Sequence, residues 1–310
     1  MNPGQRLLYL SAAAVGTLLL MFVAGAAGPF GLFLNLLLPL PTAYVVMCCG
    51  LGTGFGTVVL IAGGLFFGGD PAAMGSYLLQ FGLGSLLLPG LLRRRIAWDR
   101  AASLTILAVV LASAATVFAY AAWKGTSLHG MVDGYIKSEI AQALEMYRSA
   151  KLPAEQIKEF QKLAEATGAF LLRAYPSLAV VVTGAVQLLT LLLLSGFSRG
   201  RYLIPGPEFR QWRSHELLVW PLIAAGFGGI FGGGTVQTVA INLLTILLPI
   251  YFLQGLAVVS YYFARRGITP FVRLVGYLLL TVLNPLPLIV TGIGVFDLWA
   301  DFRKPRIKKT

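Results

Sequence analysis

The sequence has few charged residues and almost no cysteine. Asp, Glu, Lys and Arg make up 12% of the 310 residues, whereas apolar residues make up 57%. This balance excludes an ordinary soluble domain with an ion-rich surface. The two cysteines, Cys48 and Cys49, are neighbours, which excludes a disulfide-rich scaffold. Because the apolar residues come in long runs, intrinsic disorder is excluded as well.

Residues that commonly carry catalysis are also scarce. The two histidines, His129 and His215, fall in separate predicted loops on opposite sides of a membrane. That placement argues against a zinc site or a Ser-His-Asp triad. The chain also lacks the G-x-x-x-x-G-K-S/T loop that binds nucleotide phosphates, so ATP hydrolysis by that route is not expected. We therefore expect no catalytic residue, no metal, no cofactor and no enzymatic activity.

Long apolar runs dominate the sequence instead. A helix needs about 20 apolar residues to cross the hydrocarbon layer, and eight runs meet this requirement. These runs are Leu7–Ala27, Phe30–Cys49, Leu51–Phe67, Ala72–Leu92, Ala102–Ala122, Gly168–Gly196, Glu216–Phe231 and Val236–Phe263. They predict an all-α, polytopic transmembrane helical bundle of about eight spans, with residues 1–310 forming a single membrane domain.

A ninth apolar stretch, Thr269–Trp299, is longer than one span and is interrupted at Asn284–Pro287. If the basic C-terminal tail lies in the cytosol, this stretch must cross the membrane twice or not at all. Each half has about 14 residues, or about 21 Å of helix, which is short for a full crossing. We expect a broken or re-entrant helical hairpin that turns at Asn284–Pro287, and two short crossings are the alternative.

The net charge of +12 is explained by basic residues in cytosolic loops, and no nucleic-acid partner is expected. With both termini in the cytosol, every strongly basic loop falls on the cytosolic side. These loops contain Arg93, Arg94, Arg95, Arg100, Arg199, Arg201, Arg210, Arg213, Arg265 and Arg266, and the tail adds Arg303, Lys304, Arg306, Lys308 and Lys309.

The one long loop, residues 123–167, carries six basic and six acidic residues. Apolar residues recur at helical spacing on both sides of Leu152-Pro153 and predict an extracytoplasmic amphipathic helical hairpin between spans five and six. The apolar positions are Ile136, Ile140, Leu144, Tyr147, Ile157, Phe160 and Leu163. The hairpin could cover a cavity or dock a partner, but we favour a hairpin that lies on the bilayer surface.

Two ionisable residues, Arg273 and Asp297, lie within the ninth stretch, where charge is costly. Neither lies deep in it. We expect an anchoring role, in which Asp297 or Asp301 pairs with Arg303 or Arg273 at the interface, over a site for a coupling ion.

Neutral polar residues in the spans are the remaining candidates for ligand contact. They are Asn35, Thr42, Gln80, Gln187, Gln237, Asn242, Gln254 and Asn284. Buried amides also join helices without any ligand, and most of these residues are expected to do only that. The candidate substrate-binding residues are Gln254, Asn284, Gln237, Asn242 and Gln187. Gln254 and Asn284 are the strongest pair, because transporter sites often use interrupted helices.

The second half of the chain resembles the YybS-like family of bacterial inner-membrane proteins over roughly residues 170–303. The resemblance rests on short motifs at spans and loops. These are Tyr175-Pro176, Phe209-Arg210-Gln211-Trp212, Gln254-Gly255-Leu256-Ala257-Val258-Val259, and Gly294-Val295-Phe296-Asp297 leading to Asp301-Phe302-Arg303. It implies a multi-pass protein of the bacterial inner membrane, embedded in the lipid bilayer.

The YybS-like family is distantly similar to the S components of energy-coupling-factor transporters, which capture a nutrient outside the cell. This similarity implies a small-molecule binder or transporter whose energy comes from a separate membrane coupling protein and ATPases. The missing phosphate loop agrees with it, although about eight spans exceed the six that are common in S components. The alternative function is a membrane scaffold or regulatory protein that docks a partner or anionic lipid through its cytosolic arginines.

Overall fold

A computed structural model describes residues 2–150 and 153–304, and within these ranges the chain forms helices and no β-strand. The first seven helices are α1 Pro3–Ala26, α2 Gly31–Asn35, α3 Pro39–Cys49, α4 Leu51–Phe67, α5 Pro71–Tyr77, α6 Leu83–Arg93 and α7 Trp98–Trp123. The remaining six are α8 Leu128–Ser149, α9 Ala154–Phe197, α10 Val219–Phe231, α11 Gly234–Arg265, α12 Pro270–Val282 and α13 Leu286–Ala300.

Six helical segments among the described residues are long and apolar enough to cross a membrane. They are Pro3–Ala26, Gly31–Cys49, Pro71–Arg93, Trp98–Trp123, Glu155–Phe197 and Gly234–Arg265. The other two predicted spans form shorter apolar helices, Leu51–Phe67 and Glu216–Phe231. At 17 residues, α4 is about 25 Å long, a little less than the hydrocarbon layer. The prediction of an all-α polytopic bundle is confirmed.

Local sequence signals set where the first helix and α5 begin. Pro3 occupies the first position of α1, and the Gln5 side chain accepts a hydrogen bond from the Asn2 N–H at 3.3 Å. At the start of α5, the Asp70 carboxylate accepts from the Ala73 N–H at 2.8 Å. These contacts satisfy N–H groups that the first turn of a helix leaves without partners.

The chain divides into two compact units, and unit 1 comprises residues 1–131 and 182–206. Its largest core cluster comprises Ala43, Met47, Leu88, Leu92, Ala101, Ala102, Leu191 and Leu194. At one end of unit 1, Arg93 donates to the Met47 carbonyl at 2.7 Å, and Arg201 donates to the Tyr44 hydroxyl at 2.6 Å. These bonds tie the end of α3 to α6 and to the segment after α9.

Unit 2 comprises residues 132–181 and 207–310, and its closest helix contact joins α11 to α13. A Cβ at Gly255 would collide with the Val290 carbonyl, and a Cβ at Gly294 would collide with the Tyr251 carbonyl. The two backbones therefore touch directly at positions where only glycine fits. This contact fixes how α13 lies on α11.

The α12–α13 pair enters and leaves unit 2 at the same end. Gly294 lies against Gly255, and the Tyr262 hydroxyl donates to the Phe302 carbonyl at 2.8 Å, so α13 runs alongside α11 in the same direction. Its first residue is eight positions before Gly294 and hence about 12 Å along the axis. This is level with Leu247, near the middle of α11.

The sequence break in the ninth stretch is confirmed. Helices α12 and α13 are separated by three residues and meet at an angle of 99°. This bend gives a broken or re-entrant helical pair whose turn contains Asn284. The turn leaves backbone groups outside any helix, which membranes tolerate where protein or water satisfies them.

The long predicted loop forms α8 and the first part of α9. The rings of Tyr147 and Phe160 stack with their centroids 4.1 Å apart, and Ile136 and Ile140 pack against Gly168. The apolar positions spaced along the loop thus face one another across two helices. The predicted break at Leu152-Pro153 lies partly outside the described residues, because residues 151 and 152 are not among them. Helix α9 continues without interruption into the predicted sixth span.

Candidate functional site

A buried polar network in unit 2 surrounds Gln254, which α11 places entirely out of solvent. Its side-chain oxygen accepts hydrogen bonds from the N–H of Ser214, at 3.1 Å, and from the Ser214 hydroxyl. Its side-chain nitrogen donates to Asp297 of α13 at 3.3 Å. The Gln254 amide thus joins α11 to α13 and to the segment before α10.

The charge on Asp297 is neutralised by Arg303, as expected for an anchor. The side chains of Asp297 and Arg303 are 0% and 6% exposed and form an ion pair. Arg303 also donates to the carbonyls of Arg210 and Trp212, at 3.1 and 2.9 Å. Arg273, the other cation considered for this pair, instead donates to the Ile268 carbonyl at 2.7 Å.

A second, more exposed pair borders this network. Asp301 accepts from Lys304 at 2.7 Å and pairs with Arg213. The hydrogen bonds from Lys304 and Arg213 hold the pKa of the Asp301 carboxyl below its usual value. Arg213 also comes within 4.0 Å of Asp297. The arrangement holds the segment after α13 against the segment before α10.

Three of the four motifs behind the sequence resemblance meet in this network, and Tyr175-Pro176 lies outside it. Arg303 of the last motif contacts the Phe209–Trp212 motif, and Gln254 contacts Asp297. Gly255 and Gly294, from two of the motifs, form the close contact between α11 and α13. Contacts between residues of these motifs therefore hold unit 2 together.

Gln254 and Asn284 do not share a site. Asn284 is exposed at the turn between α12 and α13, whereas the Asp297 partner of Gln254 lies near the other end of α13. Eleven residues of helix separate Leu286 from Asp297, or about 17 Å. Gln254 and Asn284, the strongest predicted pair of ligand contacts, thus lie near opposite ends of α13.

Asn242 of α11 completes a hydrogen-bond ladder that Pro176 interrupts in α9. Its side-chain oxygen accepts from the Ser177 N–H at 3.1 Å, and its nitrogen donates to the Arg173 carbonyl at 2.8 Å. An unbroken α-helix would pair these two backbone groups with each other. The same nitrogen donates to the Thr238 carbonyl at 2.9 Å. Asn242 therefore anchors Arg173 beside the first turns of α11.

Gln187 lies in unit 1 and is fully buried on α9. Its amide packs against Gly84 of α6, where a Cβ would collide with the amide nitrogen. Within the described part of the chain, neither its nitrogen nor its oxygen has a hydrogen-bond partner. Gln187 thus belongs to the tightly packed interior of unit 1, and the other four candidates lie in unit 2.

Gln237, the fifth candidate, lines an open polar cleft in unit 2. The cleft has a volume of about 430 Å³ and is bordered by Arg173, Gly234, Thr235, Gln237 and Thr238. Arg173 is exposed and has no ion-pair partner among residues 2–150 and 153–304. Arg173 is not among the residues predicted from the sequence, although an arginine near the start of the predicted sixth span is a signal that can mark a site.

An apolar groove continues from the cleft between α10 and α11. It has a volume of about 330 Å³ and shares Thr235 with the cleft. Its remaining lining is apolar, with small residues on α10 facing mostly larger aliphatic residues on α11. These residues are Ala224, Ala225, Gly228, Val236, Val239, Ala240 and Leu243. Cleft and groove together offer a polar end and an apolar trough on one surface.

The fold and these sites define a multi-pass helical membrane protein. The sequence profile of a family described as a predicted membrane protein, DUF2232, matches residues 15–298. The chain belongs to this family, which confirms the predicted membership of a YybS-like membrane family. Among curated proteins and solved structures, none matches the chain. The further likeness to S components stays a prediction.

Proposed function

We propose that the protein is an S-component-like binder or transporter of a small amphipathic molecule and has no ATPase of its own. The observation that carries this proposal is the continuous surface formed by the polar cleft and the apolar groove of unit 2. Ligand sites are typically concave, mostly apolar and supplied with a few polar groups that fix orientation. Arg173, Gln237 and Thr238 are those polar groups here.

Transport would draw on a partner that supplies energy. The proposed partners are a membrane coupling protein and ATPases, because the chain has no phosphate-binding loop. The re-entrant α12–α13 loop supports a transport role, since interrupted helices recur in transporters. Asn284 is exposed at the turn, whereas Gln254 is held by its three hydrogen bonds.

We place the protein in the bacterial inner membrane, with both termini in the cytosol. Support comes from unit 1, where seven arginines and one carboxylate, that of Asp99, lie in the segments that meet at one end. The arginines are Arg6, Arg93, Arg94, Arg95, Arg100, Arg199 and Arg201. Loops rich in arginine favour the cytosolic side. By alternation, the turn between α10 and α11, and with it the cleft, faces outward.

We also propose that the protein performs no covalent chemistry. In the described residues, no group of three His, Cys, Asp or Glu side chains could hold a metal ion. One oxygen of the buried Asp297 carboxylate accepts hydrogen bonds from Arg303 and Gln254. A binding role requires none of the chain's polar groups to transfer a proton.

A thermal-shift screen of the detergent-solubilised protein tests the binding function. The panel contains vitamins, nucleobases, amino acids and lipid precursors, because a ligand raises the stability of the native state by mass action. A ligand at 100 times its Kd adds about 2.7 kcal/mol. We expect saturable stabilisation by an amphipathic compound, lost in Ala224→Phe, which fills the groove.

The matched control is Ile223→Phe, which adds an aromatic ring at the neighbouring position of α10, outside the groove lining. This variant should bind like the wild type. The proposal is contradicted if no compound in the panel stabilises the well-folded protein. It is also contradicted if Ala224→Phe leaves the stabilisation by a compound unchanged.

A membrane scaffold is the second candidate function, favoured by the arginine-rich end of unit 1. Among the described residues of that unit no arginine forms an ion pair with a carboxylate. These charges are therefore available to a partner or to anionic lipid. Charge reversal at Arg94 and Arg95 would then abolish docking of the partner or anionic lipid, while Ala224→Phe would leave this docking intact.

A further inference from the structure

Arg173 is a cation held in place without a counter-charge. The Asn242 side chain bonds its carbonyl to α11, beside the carbonyl of Thr238. The backbone at Arg173 is thus fixed next to the residues that border the cleft. Its guanidinium is exposed and forms no ion pair within the described ranges. An unpaired guanidinium on an anchored stretch of backbone is a preferred group for binding carboxylate or phosphate.

No carboxylate borders the cleft or lies in α10, α11 or α12. The five residues that border the cleft include no acid. Between Glu216 and Asp297 the sequence contains neither Asp nor Glu, so α10, α11 and α12 add none. Asp297 itself is paired with Arg303. The cleft therefore has a net positive charge, and a negative group would be attracted to it.

The groove indicates which kind of group the ligand carries beside its negative group. It begins at Thr235, which it shares with the cleft, and is otherwise lined by apolar residues along Val236–Leu243 of α11. Eight residues of helix, from Thr235 to Leu243, span about 12 Å. An apolar chain in this trough would place its head beside Arg173. A free inorganic anion would leave the groove without an occupant.

We propose that the ligand of this surface is an anionic bilayer lipid, whose phosphate binds Arg173 and whose acyl chain lies in the groove between α10 and α11. This inference rests on the proposed binding function and specifies its ligand class. Gln237 donates to one of the remaining headgroup oxygens. A neutral or zwitterionic headgroup satisfies Arg173 less well, because it brings no net negative charge to the cleft.

The test measures lipid binding to the full-length protein in a neutral detergent by native mass spectrometry. Phosphatidylglycerol and phosphatidylcholine with identical acyl chains are compared, and inorganic phosphate is added in a third arm. We expect phosphatidylglycerol to bind at least tenfold more tightly than phosphatidylcholine. Arg173→Gln should weaken phosphatidylglycerol binding at least tenfold, as expected for the loss of a charge-assisted hydrogen bond. Arg173→Lys should restore part of it.

The matched control is Arg266→Gln, which removes an exposed arginine at the other end of α11 and should leave binding unchanged. Equal binding of both lipids that Arg173→Gln does not weaken overturns the assignment of an anionic headgroup. If Ala224→Phe abolishes that equal binding, the proposed binding function still stands. Competition by millimolar phosphate alone overturns the assignment of a lipid. No binding of any lipid or panel compound defeats both proposals.

Discussion

Breaking the Asp297–Arg303 pair should destabilise the protein strongly, because both charges are buried. The side chains are 0% and 6% exposed. Removing one partner of a buried ion pair typically costs about 3–5 kcal/mol, since the other charge is left uncompensated. We expect this loss for Asp297→Leu and for Arg303→Met alone. The double variant leaves no buried charge and loses chiefly three hydrogen bonds, two from Arg303 to main-chain carbonyls and one from Gln254 to Asp297, about 3 kcal/mol in all.

The assay is reversible unfolding of the full-length protein by a denaturing detergent in mixed micelles. In the double-mutant cycle, the summed costs of the two single variants should exceed the cost of the double variant by several kcal/mol. Glu208→Gln is the control, because its pair with Arg210 is exposed and should contribute less than about 1 kcal/mol. The reasoning is refuted if Arg303→Met costs under about 1 kcal/mol, or if the single costs add in the double variant.

Three further predictions concern packing, the α9 ladder and pH. Gly255→Val should cost at least about 1–3 kcal/mol in the same assay, whereas Gly292→Ala, which meets open space, should be neutral. Asn242→Leu should cost about 1–3 kcal/mol and speed hydrogen exchange at the Ser177 amide, measured by mass spectrometry. The lowered pKa of Asp301 means that its stabilisation is present above about pH 4 and is lost as pH falls. Asp301→Asn should therefore flatten the fall in Tm at acid pH.

Hydropathy predicted the helices well because a membrane leaves the backbone few choices. Every predicted run is helical, and the break before α13 follows from Asn284-Pro285 in an otherwise apolar stretch. The pairing of Asp297 with Arg303 could also be anticipated, because both lie near the same helix end. These results depend on composition and short-range order, which a sequence shows directly.

The partners of the buried amides could not be predicted in the same way. Gln254 and Asn242 look alike in sequence, each a lone amide in α11. One joins Ser214 to Asp297, and the other repairs α9 beside Pro176. Which residue an amide meets depends on helix rotation and on contacts between distant segments. The cleft depends on the same information, since Arg173 and Gln237 are far apart in sequence.

The bent α12–α13 pair depends on the rest of unit 2 for its place in a membrane. Helices α12 and α13 have 13 and 15 residues, each fewer than an independent span requires. Lipid cannot satisfy the backbone groups at their turn. The pair therefore depends on α11, where Gly255 allows the close backbone contact with α13. That contact and the bonds from Arg303 to the segment before α10 together hold α13 in unit 2.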